Sequence, residues 1–205
     1  MKKLLRNSLF IGAALLGVSS LGAGITTKAA TTATPLTSDA SADITPGTIT
    51  LDTVPGGGSS TTPGILFGTV AADAGDTTYK STQISSDLHV TDSGNGSGWA
   101  VTVADSPFTD TAGDTLKGAV LSLDDSANPA IKADATDNVS ALPTFTADTT
   151  LSASPSTVLS AAPKAGVGAY TTTYNGTDAS LAVPAGNIGG SYSSTLTWTL
   201  SNAPS

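Results

Sequence analysis

The sequence predicts an all-β protein, and three observations support that prediction. The 205 residues contain no glutamate and one glutamine, whereas long amphipathic helices usually draw on Glu, Gln, Lys and Arg. Short stretches alternate apolar and polar side chains, which is the pattern of half-buried strands. Glycines and prolines separate these stretches at short intervals. Together these features predict an antiparallel β-sandwich of Ig-like general architecture, with few or no helices after the N-terminal segment.

The N-terminus has the three parts of a secretory signal peptide. Lys2, Lys3 and Arg6 precede an apolar stretch of small residues, and threonines and alanines follow it. The apolar stretch is too short and too rich in glycine to span a bilayer, and no second such stretch follows. Residues 1–29 are therefore predicted to be a signal peptide cleaved near Ala29, which leaves a secreted chain without a membrane segment.

Cleavage would leave a strongly acidic chain. It would keep four lysines and no arginine against sixteen aspartates, a formal charge of −12. Such a chain repels nucleic acid and anionic membranes, because both bind clustered Lys and Arg, so neither is predicted as a partner. The absence of cysteine excludes a disulfide framework and a lipid anchor on a cysteine.

The remainder is predicted to be one domain behind a short linker. Residues 30–45 lack apolar periodicity, which indicates a flexible linker, and residues 46–205 form the domain. In its last strand, alternate residues from Tyr192 to Leu200 share a face, which predicts an interior strand paired on both sides. The predicted strands, in order, are 47–54, 65–70, 82–92, 99–105, 117–123, several short strands within 128–162, 170–176, 180–186 and 191–200.

Catalytic residue types are scarce. The single histidine, His89, lies between Leu88 and Val90, and alternation points it away from them, as expected of a solvated histidine on a strand. There is no cysteine nucleophile, no glutamate and no Gly-x-Ser-x-Gly elbow. The sequence therefore predicts a protein that is not an enzyme and that needs no cofactor. A hydrolase built on two aspartates stays open as the enzymatic alternative.

Two aspartate-rich stretches are candidate calcium sites. One runs from Asp124 to Asn128, and the other contains Asp134, Asp137 and Asn138. Neither has the spacing of an EF-hand loop or its final glutamate. Turn formation and solubility explain them more simply, so no metal site is predicted and calcium stays an alternative.

The two tryptophans are the most informative aromatic residues. Trp99 and Trp198 lie on the apolar phase of their strands, which predicts core positions. An alternative is an exposed aromatic face that stacks on sugar rings, as in exported carbohydrate-binding sandwiches.

Four stretches together carry a family resemblance. They are an opening with Val-Pro and Phe-Gly (47–57 and 65–70), a Gly-Trp segment (89–108), a strand (116–123) and a C-terminal segment (192–204). In this order they resemble the WxL domain, a cell-surface module of low-GC Gram-positive bacteria. The family is marked by two Trp-x-Leu motifs. The first is represented here by Trp99 and Val101, with valine in place of leucine, and the second is intact at Trp198 and Leu200.

The resemblance implies a surface protein held non-covalently at the cell wall. It would bind peptidoglycan, or WxL-interacting surface proteins encoded alongside, through Trp99, Val101, Trp198 and Leu200. The chain shows no sorting signal for covalent anchoring, which agrees with this expectation. The alternative is a carbohydrate-binding module or adhesin subunit that recognises host glycans. Because the chain is acidic, we expect recognition of a neutral glycan or a protein surface, with weak dependence on salt.

Overall fold

A computed structural model describes residues 34–57, 64–123 and 130–202. The predicted signal peptide and the stretch from Asp124 to Asn128 lie outside these residues. The chain divides into two units, Met1–Ala42 and Asp43–Ser205. In the first unit, residues 34–42 are exposed and have no regular secondary structure.

The described residues form strands and no helix, which confirms the all-β prediction. None of them belongs to a helix long and apolar enough to cross a membrane. The strands are β1 (Ile49–Thr53), β2 (Ile65–Leu66), β3 (Thr77–Lys80), β4 (Gln83–Ile84), β5 (Leu88–Asp92), β6 (Trp99–Asp105), β7 (Val120–Leu123), β8 (Ala130–Ala133), β9 (Thr144–Phe145), β10 (Thr149–Thr150), β11 (Ser156–Ala161), β12 (Gly168–Thr173), β13 (Ala179–Val183) and β14 (Leu196–Ser201).

The strands assemble into antiparallel sheets, consistent with a sandwich. The first sheet has the order β1-β5-β12-β8, the second β10-β7-β13-β3 and the third β14-β6-β11-β9. Strands β2 and β4 form a separate pair. Many neighbouring strands are far apart in sequence, so the fold depends on long-range pairing.

One apolar core joins the inner faces of the three large sheets. Leu88 and Val90 come from the first sheet, Leu121 from the second, and Val101 and Val103 from the third, all at most 2% exposed. The alternation in these strands therefore predicted their buried faces correctly.

The structure corrects the prediction for the last strand. It begins at Leu196, not at 191, and among the described strands it is hydrogen-bonded to β6 alone, at the edge of the third sheet. The expected pairing on both sides is therefore wrong. Its alternation is real, because Leu196, Trp198 and Leu200 are half-buried while the residues between them are exposed. Alternation of apolar and polar residues shows that one face of a strand is buried. It does not show whether the strand lies at the edge or in the centre of its sheet, because both give the same pattern.

The predicted strand 82–92 is also interrupted. It consists of β4 and β5, separated by Ser86, whose φ is +66°. This left-handed conformation is uncommon for a residue other than glycine, and a strand cannot continue through it.

Candidate functional site

The two WxL motifs lie side by side in the third sheet. Strand β6 carries the first motif and β14 the second, and the two strands are antiparallel neighbours. Leu200 lies opposite Val101, and Trp198 lies opposite Val103. Trp198 is thus four residues along the ladder from Trp99, or about 14 Å at the usual rise of a strand. The motifs form one continuous apolar strip, and their tryptophans occupy different ends of it.

Trp99 and Val101 are core residues with no exposed surface. The indole Nε1 of Trp99 donates a hydrogen bond of 3.1 Å to the carbonyl oxygen of Gly166. Gly166 has φ +63°, and a Cβ there would meet Ala161 and the indole nitrogen. This position therefore requires glycine both for its conformation and for the close approach of Trp99.

Trp198 and Leu200 are only half-buried and pack against the edge of the core. The Nε1 of Trp198 is buried and has no hydrogen-bond partner among the described residues. The second motif is therefore the more accessible of the two, and its indole N–H is not committed to a described backbone carbonyl.

Asp92 organises the glycine-rich loop within the Gly-Trp segment (89–108). Its carboxylate is 1% exposed and accepts hydrogen bonds from the backbone N–H groups of Asn95 and Gly96. The side chain thereby organises the loop that leads from β5 into β6, as aspartates often do in turns.

The pairing of the motif strands continues beyond their ends. The N–H of Ser106 donates to the carbonyl of Thr195, and Thr109 and Ser193 exchange two backbone hydrogen bonds of 2.9 Å. The hydroxyl of Ser194 donates to Asp105. Burial raises the pKa of Asp105, and this hydrogen bond partly offsets the effect. The extension places the segments that contain Phe108 and Tyr192 next to each other.

An apolar groove of 370 Å³ lies at this end of the motif strands. Its lining includes the side chains of Phe67, Tyr79, Phe108, Leu116 and Tyr192. The hydroxyl of Tyr79 donates to the carbonyl of Ala71, and that of Tyr192 to the carbonyl of Ile188, at 2.8 and 2.9 Å. Both rings are therefore fastened to the segments that border the groove.

Each of the four stretches that carry the WxL resemblance contributes to this groove. Phe67 comes from the first stretch, Phe108 ends the second, Leu116 begins the third and Tyr192 begins the fourth. Alternation in the sequence does not predict this arrangement, because it places Tyr192 on the apolar face of the last strand and gives no position for Phe108. The sequence signal that points to the groove is an aromatic residue at the border of two of the stretches, Phe108 at the end of the second and Tyr192 at the start of the fourth.

The groove is nearly neutral and has unused hydrogen-bonding groups. Among the described residues that line it, Asp73 alone is charged, and the Oδ1 of Asp73 accepts a bond from the N–H of Gly75. The N–H groups of residues 69–72 and 188–191 make no hydrogen bond to another described residue. These segments are exposed, so the N–H groups are available to a bound molecule.

His89 lies on the outer face of the first sheet, on the opposite side of β5 from Leu88 and Val90, as predicted. Its Nδ1 is 2.8 Å from the Oδ2 of Asp52, and its Nε2 is 2.8 Å from the Oδ2 of Asp134. It is therefore clamped rather than freely solvated. Both ring nitrogens can donate only when the imidazole is protonated, so the arrangement fits an imidazolium between two carboxylates.

The three ionisable side chains shift one another's pKa values. Burial opposes the charged form of His89, but hydrogen bonds and the charges of Asp134 and Asp52 raise its pKa above the ordinary value. Burial likewise acts to raise the pKa of Asp52, but hydrogen bonds from Thr91, Thr50 and His89 lower it overall. Hydrogen bonds from His89 and Thr171 lower the pKa of Asp134.

This cluster has neither the geometry of a catalytic triad nor that of a metal centre. Each ring nitrogen of His89 is taken by a carboxylate, and the hydroxyls of Thr91 and Thr171 donate to those carboxylates rather than to the ring. Asp52 and Asp134 lie on opposite sides of the imidazole and do not converge on one point. Within the described ranges, no group of three or more acidic or histidine residues could hold a metal ion.

The second candidate calcium stretch is held by protein contacts. Both carboxylate oxygens of Asp134 are engaged, one with His89 and one with Thr171. The amide nitrogen of Asn138 donates to the carbonyl of Val167 and to the hydroxyl of Tyr170. These contacts tie the loop after β8 to the neighbouring strand β12.

A family model relates the chain to known proteins. The model of the WxL domain, described as a surface cell wall-binding domain, matches residues 31–204. No curated protein and no solved structure gives a significant match. The match covers the whole of the described β-domain and both motif strands. The chain therefore belongs to the WxL family of surface domains that bind the cell wall.

Proposed function

We propose that this protein is exported and held non-covalently at the bacterial cell wall, where it binds peptidoglycan, WxL-interacting surface proteins encoded alongside, or both. The family match over residues 31–204 carries the proposal, because that family is one of surface domains that bind the cell wall. The role is one of attachment and interaction, without catalysis or a cofactor.

In this proposal two of the four motif residues act in the core and two act at the surface. Trp99 and Val101 act from the core, where they fix the position of β6. Trp198 and Leu200 lie half-buried on the edge strand, where a bound molecule could reach them. The motif pair thus supports a binding surface, and its second half contributes contacts.

The charge of the chain favours apolar and hydrogen-bonding contacts over electrostatic attraction. Its sixteen aspartates would repel anionic wall polymers. A neutral glycan or a complementary protein surface is therefore the better ligand. Recognition of a host glycan is the second candidate function, and the aromatic lining of the groove supports it.

Cell fractionation and a pull-down on washed sacculi test the proposal. We expect the protein in the surface fraction, released by a chaotrope without wall digestion, and we expect purified protein to bind sacculi. Retention on cells without binding to bare sacculi would make a partner protein the ligand. Recovery in the culture medium alone would contradict attachment.

A further inference from the structure

We propose that the apolar groove beside the motif strands binds the neutral, N-acetylated glycan strand of the cell wall. The inference rests on the proposed function and names the surface and the ligand chemistry that would serve it. It assigns ligand contact to Tyr79, Phe108 and Tyr192, which lie outside both WxL motifs.

The size of the groove favours sugar rings over a protein partner. Its volume of 370 Å³ falls in the range of small-ligand sites, which runs from about 300 to 1,000 Å³. A stable protein interface instead buries about 800 Å² on each partner, usually on a broad surface. One or two pyranose rings fit the groove, whereas a folded protein would need a much larger contact.

The aromatic lining is organised in advance of binding. The hydroxyls of Tyr79 and Tyr192 are bonded to backbone carbonyls, so both rings are restrained before a ligand arrives. Ordering such side chains in advance lowers the entropic cost of association. Sugar rings offer C–H faces that pack on aromatic side chains, and phenylalanine and tyrosine supply large apolar surfaces for this contact.

The border of the groove offers donors and acceptors suited to an acetamido sugar. The N–H groups of residues 69–72 and 188–191 have no partner among the described residues and could donate to hydroxyl and acetyl oxygens. The Oδ2 of Asp73 is free of the bond that its Oδ1 accepts from Gly75, and it could accept from a sugar hydroxyl. No lysine or arginine is found among the lining residues that the structure describes. Phosphate or carboxylate would therefore find no countercharge there, which selects a neutral ligand.

The motif strands hold the walls of the groove together. Their pairing continues through Thr109 and Ser193, next to Phe108 and Tyr192. In this arrangement the motif strands position the walls of the groove, and Phe108 and Tyr192 at their borders contact the glycan. This explains how Trp99, a tryptophan buried in the core, can mark a domain that binds a wall.

Gly189 offers a way to block the groove without disturbing the fold. A Cβ built there meets nothing within 4 Å, and its φ is outside the left-handed region. The variant Gly189→Phe should therefore fold normally and place a large ring at the border of the groove, where it would hinder a bound ligand. Tyr192→Ala removes an aromatic wall, whereas Tyr192→Phe keeps the ring and removes only the hydroxyl. Thr199→Phe is the matched control, because it adds the same ring on the exposed face of β14.

The test is calorimetric titration of the protein with the β-1,4-linked tetramer of N-acetylglucosamine. We expect saturable binding by the wild type, and a loss of about tenfold or more in affinity for Gly189→Phe and Tyr192→Ala. Thr199→Phe should bind within about twofold of the wild type, and Tyr192→Phe, which keeps the ring but loses its bond to Ile188, should lose less affinity than Tyr192→Ala. Circular dichroism and thermal unfolding of each variant establish that it is folded. Equal affinity in all folded variants, or no binding by the wild type, would overturn the inference.

The same variants on sacculi separate this inference from the proposed function. If the wild type binds sacculi but not the tetramer, wall attachment stands and the groove assignment is wrong. The same holds if the groove variants still bind both sacculi and the tetramer. If the tetramer binds in the groove while sacculi do not retain the protein, the groove assignment stands and direct attachment to peptidoglycan is wrong. Tighter binding of lactose than of the tetramer would overturn the choice of a wall glycan.

Discussion

Leu200 of the second motif lies directly opposite Val101 of the first. Opposite residues on one face of an antiparallel pair have Cβ atoms about 5 Å apart, so the two side chains pack against each other. Val101 is the position where this chain departs from the leucine of the family motif. The departure therefore falls at the point where the two motifs meet.

We expect the Val101 and Leu200 substitutions to be coupled. Val101→Leu adds a methylene to a fully buried site and should cost about 1–3 kcal/mol of unfolding free energy. Leu200→Val removes a partly buried methylene and should cost less, on the order of 0.8 kcal/mol or below. The double variant keeps the combined volume, so its cost should be at least about 0.5 kcal/mol smaller than the sum of the single costs.

Urea unfolding of the wild type, both single variants and the double variant measures this coupling. Thr199→Val, on the opposite face of β14, is the control and should show additive effects with Val101→Leu. Strict additivity for the Val101 and Leu200 pair would show that the motifs do not pack as the register implies.

Replacing each motif tryptophan with phenylalanine should give unequal losses of stability. Trp99→Phe opens a space in the core and removes the hydrogen bond to Gly166, which should cost about 2–4 kcal/mol. Trp198→Phe removes a half-buried ring and an indole N–H that has no described partner, so its cost should be nearer 1 kcal/mol. Chemical denaturation measures both, and equal losses would contradict the different environments of the two indoles.

The His89 cluster should make stability depend on pH near neutrality. The folded state holds the proton of His89 to a higher pH than the unfolded chain does, because the pKa of His89 is raised. Its stabilising contribution is present in full below the unfolded pKa of about 6.5 and is lost as pH rises through the folded pKa. The lowered pKa values of Asp52 and Asp134 act in the opposite direction, and their contribution is lost as the solution is acidified below about pH 4.

Unfolding free energies measured from about pH 4 to pH 9 check this prediction. The wild type should lose stability as the pH rises from about 6.5 through the raised pKa of His89, and His89→Gln should lose that part of the pH dependence. Since His89 is the only histidine in the chain, no other imidazole contributes to the difference. Asp52→Asn should retain a smaller dependence, because Asp134 still faces the ring. Parallel profiles for the wild type and His89→Gln would rule out a charged histidine in this cluster.

Binding to sacculi should depend weakly on salt. The chain carries sixteen aspartates, and the part of the groove lining that the structure describes has no basic residue, so no large set of ion pairs is available to be screened. We expect the bound fraction to stay level or to rise as salt screens repulsion from anionic wall polymers. Pull-downs over a salt series measure this, and a steep fall would point to an electrostatic interface on another surface.

Local pattern predicted the buried faces but not the long-range arrangement. Alternation correctly placed Val90 and Val101 in the core, because each strand encodes its own two faces. It could not show that β14 ends the third sheet, since strand order depends on pairing between distant segments. The same limit applied to the groove, where Phe67, Phe108 and Tyr192 come from irregular segments without periodicity.

The two carboxylates on either side of His89 could not be predicted from the sequence for related reasons. Asp52 lies where the β1–β5 ladder shifts register, so simple alternation does not bring it beside His89. Asp134 follows the end of β8, outside any periodic pattern. Only the order β1-β5-β12-β8 brings carboxylates to both sides of the ring.

The pairing of distant motif strands also governs when binding competence arises. Asp105 and Ser194, which join beside the groove, are 89 residues apart in sequence. Closing so long a loop is entropically costly and tends to come late in folding. Until β14 pairs with β6, the Tyr192 side of the groove does not exist. A ligand that needs both sides of the groove can therefore be bound only after the last strand has joined the sheet.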